Sequence, residues 1–274
     1  MVVKNIARNY KIIPLTRYAM CIISFYLRTV RILGIIPARY GSTRFPGKPL
    51  ADVNGKPMIQ RVYEQAKKCK ALADVLVATD DKRIESAVKM FKGKVVMTSD
   101  KHESGTDRCY EALSKLKEKY DAVINIQGDE PFIQPDQISR VAHCFKDKHV
   151  QIGTLAIKLN SIHELTNHNS VKVIINKKKE AIYFSRTAIP YYRGEDFSEW
   201  PKMHTYYKHL GIYGYRTNVL AQITKLERSP LEIAESLEQL RWLENGYVIR
   251  VELTRHESYP IDTPEDLKRL KSKR

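Results

Sequence analysis

The chain has 274 residues, which suffices for one large domain or two small ones at roughly 150 residues per domain. Hydrophobic residues make up 43% and charged residues 28%, a globular composition that excludes a disordered tail, a fibrous repeat and a disulfide scaffold. The net charge of +16 predicts affinity for anions: nucleotides, acidic metabolites, acidic lipid surfaces or nucleic acid.

The cysteines and histidines form no recognisable metal or redox motif. The four cysteines are spread along the chain without a C-x-x-C pair, at Cys21, Cys69, Cys109 and Cys144. No two histidines have the i,i+4 spacing that places two ligands on one helical face. We therefore expect no histidine metal site, and we expect buried, reduced thiols in a cytoplasmic protein.

Residues 1–30 differ in composition from the rest of the chain. They carry basic residues and no acidic one, since the first acidic residue is Asp52, and they include an apolar run at 19–27. That run is too short to span about 30 Å of hydrocarbon, so no transmembrane helix is predicted. We interpret residues 1–30 as a basic, dispensable extension; a membrane-surface segment, an organelle presequence and a misassigned start stay open.

From residue 31 onward, apolar runs alternate with helical periodicities. Residues 32–36 are apolar without alternation, which is typical of a strand buried on both faces. Pro57 marks the start of a helix whose apolar positions recur three or four residues apart. The same patterns predict strands at 75–79, 94–97 and 121–127 and helices at about 84–91, 104–119 and 135–145.

The second half of the chain has a more antiparallel character. Strands are predicted at 151–159, 171–176, 181–184, 210–215 and 247–253, a long loop at 191–207, and helices at 231–244 and from Pro264. Together the halves predict an α/β fold, a Rossmann-like, mostly parallel sheet sandwiched by helices, with a smaller antiparallel part. Ligands bind beyond the carboxyl ends of parallel strands, so the loops there are the candidate site.

The loop after the first strand is predicted to hold a triphosphate. Gly41 and Gly47 allow close approach of the backbone to an anion. The polar side chains of the loop are Arg39, Ser42, Arg44 and Lys48. The loop matches neither the P-loop nor the dinucleotide-binding pattern, which disfavours P-loop NTPases and nicotinamide-dependent oxidoreductases. The alternative interpretation is a basic surface loop.

Two acidic turns are candidate magnesium ligands. Asp129 follows the strand at 121–127 beside a glycine, where a hard divalent cation can meet substrate phosphates. Near the C terminus, Thr263 is predicted to cap a helix, with Asp266 completing a capping box. Asp262 lies just outside that cap, so the aspartates at 129 and 262 could share one cation. Each turn alone is equally compatible with a purely structural role.

Residues 104–108, with the sequence SGTDR, begin a predicted helix. The amides of a helix start and the Arg108 guanidinium suit contacts with an anion. Ser104 also suits an ordinary N-cap, and both roles can hold at once.

Eight segments together resemble one enzyme family. In chain order they are GIIPARYGSTRFPGKPL, VATDDKRI, SGTDR, INIQGDEPFI, YFSR, KHLGIYGY, LEQLRWLENGY and IDTPEDL. They resemble the CMP-Kdo synthetases, the 3-deoxy-manno-octulosonate (Kdo) cytidylyltransferases, from Arg31 to the C terminus. The related sialic acid synthetases have a different first loop. The segment before Arg31 departs from the family pattern.

The resemblance implies a fold, a reaction and partners. The fold would be that of the nucleotide-diphospho-sugar transferases, with one domain at 31–274, a CTP-binding half at 31–150 and a sugar-binding and dimerisation half at 151–274. The reaction would transfer CMP from CTP to Kdo and release pyrophosphate, for lipopolysaccharide synthesis. The enzyme would be a cytoplasmic homodimer with Mg²⁺ as cofactor, and it would bind no nucleic acid.

Residue roles are implied by the same motifs. The CTP ligands would be Arg39, Ser42, Arg44, Lys48, Ser104, Arg108 and Gln127. The sugar ligands would be Arg186, His209, Tyr213, Glu238 and Gln239. The catalytic residues would be Arg39, Lys48, Asp129 and Asp262, and the last two would hold magnesium.

Two other functions stay open at this point. One is a cytidylyltransferase for another acidic sugar, such as 8-amino-Kdo or sialic acid. The other is a nucleic-acid-binding module, since the basic charge is accompanied by tyrosines that could stack on bases. The second is disfavoured because no recognised binding motif accompanies the charge.

Overall fold

The computed structural model describes residues 30–272, so the interpretation of residues 1–29 lies outside the described part of the chain. The strands are β1 Ile32–Ala38, β2 Asp52–Val53, β3 Lys56–Pro57, β4 Asp74–Thr79, β5 Val95–Met97, β6 Ala122–Asn125, β7 Ile152–Lys158, β8 Lys172–Ile175, β9 Ala181–Ser185, β10 Tyr207–Arg216 and β11 Ile249–Thr254. The predicted division into halves at 31–150 and 151–274 stays a prediction.

The helices alternate with these strands through the first half of the chain. They are α1 Met58–Lys67, α2 Lys82–Met90, α3 Gly105–Ser114, α4 Pro135–Cys144, α5 Ile162–Thr166, α6 Trp200–Met203, α7 Thr217–Ile223, α8 Pro230–Glu235, α9 Glu238–Glu244 and α10 Pro264–Ser272. Short 3₁₀ helices occur at Lys48–Leu50 and Phe197–Glu199. Helix α1 buries Met58, Val62 and Ala66, the apolar positions from which it was predicted.

One large mixed sheet organises the described residues. Its main strand order is β11-β7-β10-β6-β1-β4-β5, and β8 attaches to β10 and pairs with β9. The pairs of β1 with β4 and β6, of β4 with β5 and of β7 with β11 are parallel. Strand β10 is antiparallel to β6 and β7, and β8 is antiparallel to β9. The predicted mostly parallel sheet with a smaller antiparallel part is confirmed.

Helices cover both faces of the sheet, as β10 shows. Tyr213 and Tyr215 project from one face, and both rings contact the Trp242 ring of α9. Gly214, between them, projects from the other face. A Cβ atom built there would lie 2.5 Å from a ring carbon of Phe145, beside α4. Close packing of α4 on β10 therefore requires a glycine at position 214.

Two predicted helices are wrong in extent. The helix at 104–119 ends at Ser114, because the chain turns there to enter β6, where the amide of Asp121 donates to the carbonyl of Arg31 at 2.8 Å. The single helix at 231–244 is divided into α8 and α9, because Ser236 adopts a left-handed conformation with φ of 50°. That break sets the orientation of α9.

The predicted long loop at 191–207 is only partly a loop. It contains α6, and it is anchored by the buried side chains of Trp200 and Tyr206. Helices α5 and α7, of five and seven residues, are absent from the sequence-based prediction, because so few residues give no periodicity to detect. None of the helices among residues 30–272 has the length and apolar character needed to cross a membrane.

The packing at Gly214 generates a stability prediction. Gly214→Ala should lower the free energy of unfolding by about 1–3 kcal/mol, because the added methyl group forces Phe145 and Val141 to move. The matched control on β10 is Gly211→Ala, whose Cβ atom would have its nearest neighbour at 4.0 Å. Denaturant unfolding of both variants checks this, and equal losses would contradict it.

Candidate active site

The candidate site is a cleft at the carboxyl ends of β1 and β6. Strands β4 and β5 lie on one side of β1 in the sheet, and β6 lies on the other side. The strand order therefore reverses between β1 and β6. In open α/β sheets, ligands bind at such a reversal. The cleft has a volume of about 260 Å³. The predicted CTP, catalytic and metal residues that line it are Arg39, Ser42, Arg44, Lys48, Ser104, Arg108, Gln127, Asp129 and Asp262.

The loop after β1 folds back on itself and presents its cations to the cleft. Gly47 has φ of 71°, which favours glycine, and its amide donates to the carbonyl of Tyr40 at 3.0 Å. The Ser42 hydroxyl accepts a hydrogen bond from the amide of Phe45 at 3.2 Å. Arg39 is exposed, and the Arg44 side chain is 67% exposed. These side chains are accessible to an anion.

Lys48 joins the two aspartates at the floor of the cleft. Its Nζ donates to Oδ2 of Asp129 at 2.9 Å and to Oδ1 of Asp262 at 3.2 Å. Arg44 Nη2 donates to the same Asp262 oxygen at 3.4 Å. The turns that carry Asp129 and Asp262 are also joined through the backbone, since the amide of Ile261 donates to the carbonyl of Asp129 at 2.9 Å. The structure therefore brings together two carboxylates that are far apart in sequence.

Hydrogen bonds within each turn hold these aspartates in place. Gly128 lies so close to β1 that a Cβ atom there would be 2.9 Å from the Pro37 carbonyl oxygen. Oδ2 of Asp266 accepts hydrogen bonds from the amides of Thr263 and Asp262, at 2.9 and 3.2 Å. The Thr263 hydroxyl accepts from the amide of Asp266 at 3.2 Å, completing the predicted capping box. The cap leaves the Asp262 carboxylate directed into the cleft.

The pair Asp129 and Asp262 fits a magnesium ion. Both carboxylates already reach one positive group, the Lys48 ammonium, so their oxygens can converge on a single cation. Magnesium is usually held by one or two carboxylates, together with water and substrate phosphates. Among residues 30–272 no cluster of three or more His, Cys, Asp or Glu side chains could hold a metal. Water and substrate oxygens would complete the coordination.

Helix α3 begins at the wall of the cleft. Ser104 is its N-cap, and its hydroxyl oxygen accepts from the amide of Asp107 at 3.1 Å. Arg108 is 3% exposed, and its guanidinium donates to Oδ2 of Asp80 at 2.7 Å and to the Thr98 hydroxyl at 2.7 Å. Arg108 thus lines the cleft while its charge is paired internally.

His209 and Tyr213, two predicted sugar ligands, lie on β10 outside the cleft lining. The His209 ring contacts the rings of Phe184 and Tyr213, with centroids at 5.0 and 5.2 Å. Its Nε2 is 3.0 Å from the hydroxyl of Thr154. Burial lowers the pKa of His209 to about 3, so the imidazole is neutral at physiological pH. It can offer a hydrogen bond to a substrate but not a charge.

Glu238 and Gln239 begin helix α9. The Thr106 hydroxyl of α3 donates to Oε2 of Glu238 at 3.1 Å, and Gln239 is 5% exposed. Burial raises the pKa of Glu238 to about 7, against the hydrogen bond from Thr106, which lowers it. This carboxyl group is therefore partly protonated at neutral pH.

The fifth predicted sugar ligand, Arg186, lies at the end of β9. Its guanidinium donates to the backbone carbonyls of Glu235, Ser236 and His168, at 2.7, 3.2 and 3.2 Å. None of the five predicted sugar residues is in the lining of the cleft described above. Their role as sugar ligands stays a prediction.

Sequence reasoning missed several groups around the site. Asp80 stands in the quoted segment VATDDKRI but received no role, although it pairs with Arg108. Its position directly after β4, a strand in the same parallel sheet, is the signal that could have found it. His102 and Glu103 also line the cleft, just before the helix start that was identified. Asn125, at the end of β6, is 4% exposed.

Comparison with known proteins places this geometry in a family. A family model described as cytidylyltransferase matches residues 33–255. A protein of Parabacteroides distasonis named 3-deoxy-manno-octulosonate cytidylyltransferase is 61% identical over 244 residues, which cover 88% of this chain and 96% of that protein. A protein of the same name from Bacteroides thetaiotaomicron is 59% identical over 242 residues, covering 87% and 96%.

Solved structures agree with this result. A structure of CMP:2-keto-3-deoxy-manno-octonic acid synthetase complexed with CTP has a TM-score of 0.82 and 43% identity, over 88% of this chain and 97% of that one. A 4-diphosphocytidyl-2C-methyl-D-erythritol synthase from Anaerococcus prevotii, with a TM-score of 0.59 and 13% identity over 90% and 100%, shares the fold. The fold and the cleft are those of a nucleotidyltransferase. The chain belongs to the cytidylyltransferase family, as its sequence segments predicted.

The buried pair of Asp80 and Arg108 generates a prediction for the wall of the cleft. Asp80→Ala leaves a buried guanidinium without its carboxylate, so the free energy of unfolding should fall by about 3 kcal/mol or more. The control, Glu199→Ala, breaks an exposed pair with Lys202 and should cost at most about 1 kcal/mol. Denaturant titration measures both.

A second arm of that experiment tests the pairing itself. The double variant Asp80→Ala/Arg108→Met removes both charges and should recover part of the lost stability. A loss for Asp80→Ala no larger than that for Glu199→Ala would contradict the prediction.

Glu238 generates a prediction about pH. The pKa of Glu238 rises from 4.5 to about 7 on folding, so the folded state favours the protonated side chain. The stability that Glu238 contributes is therefore fully present below pH 4.5 and is lost as the pH rises through about 7. Glu238→Gln should therefore stabilise the protein at neutral pH relative to the parent, and unfolding midpoints across the pH range measure this.

The matched control is Glu232→Gln on α8. Arg241 lowers the pKa of Glu232 against the effect of burial, which raises it, so the stability that Glu232 contributes is present at neutral pH and is lost as the pH falls. Glu232→Gln should destabilise the protein at neutral pH. Shifts of the same sign in both variants would refute the assignment.

Proposed function

We propose that the protein transfers the cytidylyl group of CTP to Kdo, forming CMP-Kdo and pyrophosphate. The observation that carries the proposal is the cleft at the ends of β1 and β6, where Lys48 joins Asp129 and Asp262 beneath a loop of exposed cations. The relatives named 3-deoxy-manno-octulosonate cytidylyltransferase, at 59–61% identity, support Kdo as the acceptor.

The loop after β1 binds the triphosphate of CTP. Arg39, Arg44 and Lys48 supply positive charge on one side of the cleft, and the amides at the start of α3 supply hydrogen-bond donors on the other. Ser104, Arg108 and Gln127 line the cleft on that second side. In the proposal they recognise the cytosine and the ribose. The triphosphate and the acidic sugar are both negative, so the cations permit their approach.

Asp129 and Asp262 would hold Mg²⁺ next to the triphosphate. When bound, the ion supplies electrostatic stabilisation of the charge that develops on the phosphate oxygens. Lys48, which bridges the two carboxylates in this structure, also lies in the cleft lining and would supply a positive charge to a phosphate oxygen. The chain's own contribution is to fix both carboxylates at one point, through the contact of Gly128 with β1 and the cap at Thr263.

The reaction is an in-line displacement without a covalent enzyme intermediate. The anomeric hydroxyl oxygen of Kdo bonds to the α-phosphorus of CTP, its proton passes to solvent, and the bond from the α-phosphorus to the leaving pyrophosphate breaks. Arg186, His209, Tyr213, Glu238 and Gln239 form the acceptor side. His209 is neutral and Glu238 is partly protonated, so both recognise the sugar through hydrogen bonds.

The proposal includes a cytoplasmic homodimer acting in lipopolysaccharide synthesis. Three described cysteines, Cys69, Cys109 and Cys144, are free and buried, which suits a reducing compartment.

The experiment is to incubate the purified full chain with CTP, Mg²⁺ and Kdo and to detect CMP-Kdo by mass and pyrophosphate by a coupled assay. The product should form with Kdo, and the panel should include 8-amino-Kdo and sialic acid. Faster product formation with either would reassign the acceptor. No pyrophosphate release from CTP with any sugar would refute the proposed reaction.

The metal site generates a paired prediction. Asp129→Ala and Asp262→Ala should each lower kcat by about a hundredfold or more, equivalent to about 3 kcal/mol of barrier, because magnesium loses one of its two carboxylates. The unfolding midpoint should stay close to that of the parent protein. The control is Glu227→Ala, an exposed carboxylate away from the cleft, which should keep full activity. Near-normal turnover in Asp129→Ala would remove Asp129 from the site.

A further inference from the structure

Lys172 is a buried lysine to which the proposed function gives no task. Its side chain, on β8, is 0% exposed. The Nζ atom donates to the backbone carbonyl of Asn167 at 3.0 Å and to the backbone carbonyl of Arg186. Burial lowers the pKa of Lys172 to about 8, while the nearby Glu235 carboxylate raises it.

The burial of this ammonium group needs an explanation. Within residues 30–272, the ion pairs of the structure include none between Lys172 and a carboxylate, so its hydrogen bonds go to neutral carbonyls. A buried charge without a hydrogen-bonded counter-charge costs several kcal/mol, and an apolar side chain of similar length avoids that cost. The role of Lys172 must therefore come from the two segments that its ammonium group joins, the turn at Asn167 and the end of β9 at Arg186.

One of these segments, at the end of β9, holds the end of helix α8. The amide of Arg186 donates to Oε2 of Glu235 at 2.9 Å, and the Ser185 hydroxyl donates to Oε1 at 2.6 Å. In the opposite direction, the Arg186 side chain donates to the carbonyls of Glu235 and Ser236. Three hydrogen bonds thus join the end of α8 to Arg186, whose carbonyl accepts from Lys172, and a fourth joins it to Ser185.

The end of α8 determines where α9 begins. Ser236 has φ of 50°, and the chain enters α9 only two residues later, at Glu238. Because the connection is so short, a shift of Glu235 moves Glu238 and the buried Gln239 with it. Both are predicted sugar ligands.

The start of β8, where Lys172 lies, also positions His209. The amide of His209 donates to the carbonyl of Val171, next to Lys172, at 2.8 Å. Phe184 of β9, two residues before Arg186, contacts the His209 ring. Four of the five predicted sugar residues, Arg186, His209, Glu238 and Gln239, are therefore attached to segments that Lys172 joins.

We infer that Lys172 is a positioning residue for the acceptor sugar. Its ammonium group joins the turn at Asn167 to the end of β9 and so sets the geometry of the sugar-binding side chains. The inference rests on the proposed function, because it concerns the acceptor of that reaction. It predicts an effect on the sugar and none on CTP, whose cleft lies at the ends of β1 and β6.

The test is steady-state kinetics of Lys172→Met with Kdo and CTP varied separately. The value of kcat/KM for Kdo should fall on the order of tenfold, because the sugar ligands shift while the reacting groups of the cleft do not. The KM for CTP, and the affinity for CTP measured by calorimetry, should equal those of the parent.

Two variants make the result decisive. Val173→Ala removes a buried apolar side chain from the same strand, and it should lower the unfolding midpoint while leaving both KM values unchanged. Glu235→Gln weakens the hydrogen bonds that Ser185 and Arg186 donate to the Glu235 carboxylate. It should raise the KM for Kdo, as Lys172→Met does, but by a smaller factor. If Lys172→Met does not fold, Glu235→Gln decides the question in the same assay.

The outcomes separate this inference from the proposed function. If the parent protein forms CMP-Kdo but Lys172→Met and Glu235→Gln leave the KM for Kdo unchanged, the positioning role is wrong and the function stands. Equal effects on Kdo and CTP also overturn the positioning role, because a general loss of folded structure predicts them. If the parent forms no CMP-Kdo, the proposed function itself is wrong.

Discussion

The convergence of two aspartates on one ammonium group is the interaction on which the rest of the cleft depends. Asp129 and Asp262 repel each other unless a cation lies between them, and Lys48 meets that need in this structure. A divalent ion with substrate phosphates satisfies the same requirement. Within residues 30–272 the geometry offers two carboxylates and no third protein ligand, so under the proposed function the nucleotide phosphates and water would complete the coordination of a bound magnesium ion.

Strand order explains why these residues can meet. The sheet reverses its order between β1 and β6, and the loops that leave those strands open a cleft between them. Asp262 comes from more than a hundred residues further along the chain, yet the amide of Ile261 pairs with the carbonyl of Asp129 and brings it to the same point. The helix cap at Thr263 then turns its carboxylate inward.

The sequence predicted the first half of the fold well, because buried parallel strands are continuous apolar runs and the helices between them have clear periodicity. The loop after β1 and Asp129 could be singled out because glycines, cations and a carboxylate stand directly after buried strands, whereas Asp262 was found from its helix cap and Gln127 only from the family resemblance. The break at Ser236 was missed, since a left-handed serine leaves no local signal when apolar residues continue on both sides. The pairing of Asp80 with Arg108 was missed because it depends on tertiary contact.

The two sides of the site differ in their physical character, and this bears on specificity. The cleft at the ends of β1 and β6 is open and carries exposed cations, so it suits an anion such as a triphosphate. The proposed acceptor side, around β10 and α9, is packed, and burial there keeps His209 neutral and Glu238 partly protonated. A site built to hydrogen-bond a substrate hydroxyl discriminates strongly against a ligand that lacks it. Under the proposed function, charge therefore provides affinity for CTP, whereas discrimination between acidic sugars comes from neutral hydrogen bonds held rigid around β10 and α9.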